Sequence, residues 1–313
     1  MMTIYKWENG GLKETAEFSP SCWINLVDPS TTDLEAVLTH SGVPRDFLTD
    51  PLDVGERPRF DWEDEATLII VHVPMPVEDD EVAPYRTVPL GIILFGQSVI
   101  TVCSAQTPVT AAFLDQIRRV CPPSDRHRFA FRLLWHAGVL FLRYINDIHS
   151  RTSALEDEMH ESISNEALLK MFQIEKTLVY FTTSLKADTI ALARANTARQ
   201  LTLSEDDRDY LEDAMVEYQQ VLETATIHAN ILNGTLDTFA SVINNNLNNV
   251  MKYLTAATIM LAAPTLIASF YGMNVALPLH ARPYAFWIVL AFSAMLAFGI
   301  GVIFVILSRK RVF

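Results

Sequence analysis

The chain has 313 residues, 37 Asp and Glu against 24 Lys and Arg, and a formal net charge of −13. That length holds a soluble domain with its own core plus a further element, and the acidic balance argues against a nucleic-acid partner, which needs basic patches. Acidity suits a cation as partner without singling one out. Cys22, Cys103 and Cys121 have no paired spacing and fit reduced, structural thiols in a cytosolic domain.

In chain order, residues 1–122 are predicted to form a mixed α and β cytosolic domain. Thr3–Trp7 and Leu12–Phe18 flank a Gly10-Gly11 turn and suggest a hairpin. Trp23–Val27 is a short strand, and Ser30-Thr31-Thr32-Asp33 opens a helix with a capping-box pattern. Thr67–Val73, Val88–Phe95 and Ser98–Cys103, rich in β-branched residues, are predicted core strands, with Asp79-Asp80-Glu81 as an exposed turn.

Residues 123–250 are predicted to be a cytosolic bundle of long helices, over roughly 126–163, 166–199 and from near Ser204 onward without a break before the membrane. Glu205, Asp206 and Asp207 in the first turn of the third complement its dipole. Along it, Leu211, Met215, Tyr218, Leu222, Ala225, Ala229, Leu232, Leu236, Phe239 and Ile243 alternate steps of four and three. Such a heptad seam predicts a coiled-coil-like stalk packed along its length on another helix. A second, mostly polar or small stripe carries Asp237, Ser241, Asn244, Asn248, Met251, Thr255, Thr258, Ala262, Thr265 and Ser269 without a shift into an apolar stretch. Small residues allow close packing in a bilayer; the same stripe can line a watery path if several copies gather round an axis. From 205 to 271 such a helix would be on the order of 100 Å long.

Residues 251–313 are predicted to be a two-span transmembrane domain. No full charge falls between Lys252 and Arg282, or between Arg282 and Arg309. Each run exceeds the roughly 20 apolar residues that cross about 30 Å of hydrocarbon. Lys252, Arg309, Lys310 and Arg311 on one side, against Arg282 alone in the 272–283 loop, predict an inner (plasma) membrane protein with both termini cytoplasmic. The first residues, Met1 to Glu8, carry no apolar signal segment.

At the outer end of the first span stands Tyr271-Gly272-Met273-Asn274, preceded by Pro264-Thr265-Leu266-Ile267-Ala268-Ser269 and by Asn248-Asn249-Val250-Met251-Lys252-Tyr253-Leu254-Thr255. Farther back lie Trp23-Ile24-Asn25 and Glu56-Arg57-Pro58-Arg59. In this combination the chain resembles the CorA family of magnesium channels over nearly its whole length, most strongly over 237–274. The resemblance implies a homopentameric funnel: an α+β cytosolic domain, the stalk helix, an inner ring of helices 251–272 and an outer ring 284–307, embedded in the lipid bilayer. It implies a divalent-cation channel, for Mg2+ first and for Co2+ or Ni2+ as further ions, with Gly272, Met273 and Asn274 as the selectivity filter. Asp237, Asn244, Asn248, Met251, Leu254, Thr255, Thr258, Ala262 and Thr265 would line the pore. Asp50 and Asp213 match the family's regulatory Mg2+ site between subunits, where cytosolic Mg2+ favours the closed state.

The physics of the filter stands beside the resemblance. Even a monovalent side chain at the bilayer centre costs roughly 2.5 to 17 kcal/mol, and magnesium gives up its water reluctantly. A ring of Asn274 amide oxygens and Gly272 carbonyls can hold a hydrated ion through its water, weakly enough to release it. Gly272 gives the backbone freedom to leave the helix. Met251 and Leu254 would form an apolar constriction able to gate by dewetting. Taken singly, these residues also suit a helix C-cap and plain packing.

Two departures from the family bear on selectivity. The outer loop, Val275 to Pro283, has no acid; Pro278 holds its place and Leu279 stands where many members have glutamate. Ala262 stands where Met is usual. Alternatives are a proton-coupled zinc transporter of the related ZntB-like branch, to which His280 would suit, and a membrane-anchored metal sensor that conducts nothing. An enzyme is not expected, for there is no Gly-rich phosphate loop, zinc-ligand spacing or nucleophile motif, and no organic cofactor is implied. Glu156, Asp157, Glu158 and Glu161 read as a solvated helix face.

Overall fold

The computed structural model describes residues 1–77, 83–117, 121–161, 164–275 and 282–309. The turn expected at Asp79-Asp80-Glu81, and Leu279, His280, Lys310 and Arg311, lie outside them, as does the side chain of Glu161. The chain divides into two compact units, Met1–Leu236 and Asp237–Phe313.

The first unit begins with the hairpin of β1 (Met2–Glu8) and β2 (Gly11–Thr15), paired so that Glu8 faces Gly11. The turn is therefore Asn9-Gly10, one residue earlier than expected. Both have positive φ, 53° and 78°, the pattern of a two-residue turn whose twist matches that of the strands; Asn tolerates it and Gly is indifferent to it. Strands β3 (Cys22–Val27), β4 (Arg59–Glu63), β5 (Ala66–Pro76), β6 (Tyr85–Phe95) and β7 (Ser98–Cys103) complete a sheet of order β2-β1-β3-β7-β6-β5-β4. Only β3 and β7 run parallel.

Successive strand residues face opposite sides of the sheet, so Ile24 and Trp23 enter different cores. Ile24 joins Leu26, Leu68, Ile70, Ile100 and Val102 beneath α1 (Thr31–Ser41) and α2 (Arg45–Thr49), which add Val37, Phe47 and Leu48. Ser30 caps α1 as expected: its hydroxyl accepts the Asp33 amide while Asp33 accepts the amide of Ser30. Trp23, fully buried, stacks on Tyr5 and meets Phe113 of α3 (Pro108–Ile117) and Phe129 of α4 (Arg126–Glu161). Its indole N–H donates to Thr101 Oγ1 at 2.9 Å, and that hydroxyl donates to Asn25 Oδ1 at 2.9 Å. Trp23-Ile24-Asn25 is thus a structural tether between β3 and β7.

α5 (Asn165–Thr197) packs along β5 and β4. α6 (Glu205–Tyr271) runs unbroken for 67 residues. Within the first unit it lies parallel to α4: Arg128 meets Tyr210, Gly138 meets Tyr218, His149 meets His228 and Glu156 accepts from Thr235. The expected seam is there. Leu211, Tyr218, Ala225, Leu232 and Phe239 are buried, with Ala214 and Val221 deeper than their neighbours Met215 and Leu222.

In the second unit, residues 237–271 of α6 pair antiparallel with α7 (Ala285–Arg309). Tyr253 meets Phe304 edge to face at 6.3 Å, and Met260 Sδ lies against Gly301. Both α6 and α7 are long and apolar enough to cross a membrane, and neither buries its apolar stretch within the chain.

Candidate ion pathway and regulatory carboxylates

On the second unit, the residues expected along a pore form one open face. Asp237, Asn244, Asn248, Met251, Leu254, Thr255, Thr258, Ala262 and Thr265 are all exposed in the single chain. Thr258, Ala262, Thr265 and Ser269 line one side of an open groove of about 710 Å³ that ends at Met273. The hydroxyls of Thr255, Thr258 and Thr265 donate to the carbonyls of Met251, Leu254 and Leu261, each at 2.8 Å. With its proton committed to the helix, each hydroxyl oxygen presents lone pairs, the polarity that the water around a cation requires.

Past Tyr271 the chain leaves the helix by tightening rather than by a left-handed step. The Gly272 amide still donates to Ala268 at 2.9 Å and the Met273 amide to Phe270 at 3.2 Å. Gly272 is absent from the positive-φ residues, so the expectation that its backbone freedom is what ends the helix does not hold. Pro264 sits inside α6, where it has no amide to give the Met260 carbonyl.

The two carboxylates expected to form a regulatory site, Asp50 and Asp213, both lie in the first unit, each in its own setting. Asp50 closes α2 and starts a 3-10 turn, Asp50–Leu52. Pro51 behind it presses on Gly91 of β6 so closely that a Cβ there would collide with the proline ring. Asp50 Oδ2 accepts from Arg59 Nη2 at 2.6 Å; the same guanidinium pairs with Glu56 through Nη1 and lies 3.7 Å from Asp61 through Nε. Asp213 lines a cavity of about 340 Å³ with Arg132, Trp135, His136 and Tyr210. Burial pulls the His136 pKa down, and neither ring nitrogen has a hydrogen-bond partner among the described residues. Among the described residues no three His, Cys, Asp or Glu side chains gather as a metal group.

Behind Asp50 runs a partly buried polar network around β5, expected from the sequence only as a core strand over Thr67–Val73. His72 Nε2 lies 3.0 Å from the Glu56 carbonyl and Nδ1 3.0 Å from Ser184 Oγ, which is 2.8 Å from Thr87 Oγ1. A carbonyl only accepts, so Nε2 carries the proton; burial pulls His72 below the ordinary imidazole range, leaving Nδ1 to accept from Ser184. The His72 amide donates to Asp188 Oδ1 at 2.8 Å. Asp188 is wholly buried, and that burial pushes its carboxyl well above the usual carboxylate range. Its other oxygen and the buried Tyr218 hydroxyl of α6 have no hydrogen-bond partner among the described residues. Arg59 has two partners close in sequence, Glu56 and Asp61, whereas the turn after α2 brings it Asp50 and the fold brings Pro51 against Gly91.

Comparison with known proteins agrees with this architecture. The family model described as CorA-like Mg2+ transporter protein matches residues 19–311. The cobalt/magnesium transport protein CorA of Methanocaldococcus jannaschii is 28% identical over 293 residues, covering 92% of this chain and 90% of that protein. The magnesium transport protein CorA of Campylobacter jejuni is 32% identical over 278 residues, covering 80% of each. The complete structure of the M. jannaschii CorA magnesium transporter superposes with a TM-score of 0.83 at 24% identity, covering 99% of this chain and 98% of that one. The chain therefore belongs to the CorA family, a family of Mg2+ and Co2+ transporters rather than enzymes.

Proposed function

We propose that the chain is one subunit of a homopentameric channel that carries hydrated Mg2+ across the inner membrane, both termini cytoplasmic. The single observation behind this reading is the exposed face of α6, where polar and small residues continue through an apolar, unburied helix and end at Gly272-Met273-Asn274. Two spans cannot enclose a polar path, so copies must, each turning this face to a common axis and its remaining surface to α7 and lipid. Asn274 and the Gly272 carbonyl then hold the ion through its water shell, the threonine oxygens accept from that water along the way, and Met251 with Leu254 close the path by dewetting. Asp237 forms an acidic ring that concentrates cations.

Gating follows from the first unit. Cytosolic Mg2+ bridging Asp50 of one subunit and Asp213 of the next favours the closed arrangement, and its loss leaves carboxylates that repel. The test is Mg2+ influx into liposomes holding the purified protein and a Mg2+-sensitive dye. Voltage-driven influx that needs no proton gradient and is lost in Asn274→Ala supports the channel. Zinc-only influx that depends on a proton gradient points instead to proton-coupled zinc transport, and no flux of any cation to a sensor.

A further inference from the structure

We infer that Arg59 is a tethered counterion that competes with the regulatory cation for Asp50 and so sets the concentration at which that cation acts. This rests on the assignment of Asp50 as a regulatory ligand and goes beyond it to the residue that tunes the site. Asp50 is not a free carboxylate awaiting a metal. Its Oδ2 already holds Arg59 Nη2 at 2.6 Å, a charge-assisted bond, with both side chains only about a third exposed (27% and 32%).

The arginine cannot drift away when Asp50 lets go of it. Glu56 holds Nη1 and Asp61 lies 3.7 Å from Nε, so three carboxylates surround one guanidinium. The anchorage is built from both sides. The Glu56 carbonyl accepts from the half-buried His72 ring, and Pro51 is wedged on Gly91, so neither end of the Asp50–Arg59 segment is loose. A divalent ion arriving at Asp50 must displace one guanidinium bond and then sit beside a positive charge that Glu56 retains. Both effects weaken binding, and both come from one side chain. Without Arg59 the same three carboxylates would attract a cation more strongly and would repel one another more in its absence.

The full-length protein in detergent tests this through its thermal midpoint as a function of MgCl2, in the wild type, Arg59→Gln, Arg59→Lys and Asp50→Asn. Removing a unit charge a few ångströms from a divalent ion in high dielectric predicts a half-effective Mg2+ concentration about tenfold lower in Arg59→Gln. The midpoint without Mg2+ falls in this variant and the Mg2+-induced rise grows. Arg59→Lys, a point charge that grips one carboxylate at a time, shifts the same way by a smaller factor, and serves if Arg59→Gln does not fold. An unchanged or higher half-effective concentration in both variants overturns the role of Arg59 while Asp50→Asn still abolishes the response. A response that survives in Asp50→Asn overturns the assignment of Asp50 itself.

Discussion

Asp188 carries its carboxyl wholly inside the protein, bonded to the His72 amide. Folded, it holds its proton more tightly than in the unfolded chain, whose ordinary value is 3.8. Below that pH both states are protonated and the residue costs nothing; above it the unfolded state ionises first, so stability falls as pH rises toward the folded value. Asp188→Asn keeps an acceptor for the His72 amide and removes the titration. Its thermal midpoint is expected to gain on the wild type as pH rises above the ordinary carboxylate value of 3.8, and a difference that stays flat as pH rises refutes the buried-acid account. A second residue prediction concerns Gly91. Gly91→Ala drives a methyl into Pro51, an overpacking change that costs about 1–3 kcal/mol, and it is expected to weaken the Mg2+ response by moving Asp50 with the proline. Neither position was legible in the sequence. Asp188 is one acid among mostly apolar helix neighbours, and Gly91 is one glycine in a strand; only the approach of a distant segment gives each its meaning. Asp50, by contrast, is singled out by the family resemblance from its place before the Arg-Pro segment, although its pairing with Arg59 is not.

At the scale of elements, α6 was the most readable part of the chain. A 3–4 periodicity sustained over so many turns has one physical solution, a helix packed along its length, and the structure places Leu211, Tyr218, Ala225 and Leu232 in that seam. Leu211→Ala is expected to destabilise the protein by about 2–5 kcal/mol in denaturant unfolding, whereas Val216→Ala, on the exposed face, stays within about 0.5 kcal/mol. The short elements were less legible. β4, α2 and α3 were not predicted, because each is five to ten residues long and owes its form to what it packs on. β4 exists as the edge partner of β5, from Arg59 opposite Ile70 to Glu63 opposite Ala66. The hairpin was foreseen but its turn fell one residue off, since two adjacent glycines masked the Asn-Gly pair that sets it.

For the molecule as a whole, composition and pattern carried the larger divisions: an α+β domain, a long helix, and a C-terminal pair of apolar helices. A single chain leaves exposed the polar face of α6 together with apolar surface on α6 and α7, and the proposed transport depends on which face meets which. The most direct measurement is thiol block of Mg2+ flux in liposomes, comparing Thr258→Cys and Thr265→Cys with Ile259→Cys on the neighbouring face. The native thiols are a quiet background: Cys22, Cys103 and Cys121 are buried, and burial pushes Cys103 and Cys121 up to about 11. The account predicts that a cationic, water-soluble thiol reagent stops flux through both threonine variants and leaves the Ile259→Cys variant and the wild type untouched. Block at Ile259→Cys equal to that at Thr265→Cys, or undiminished flux through both threonine variants, would contradict it.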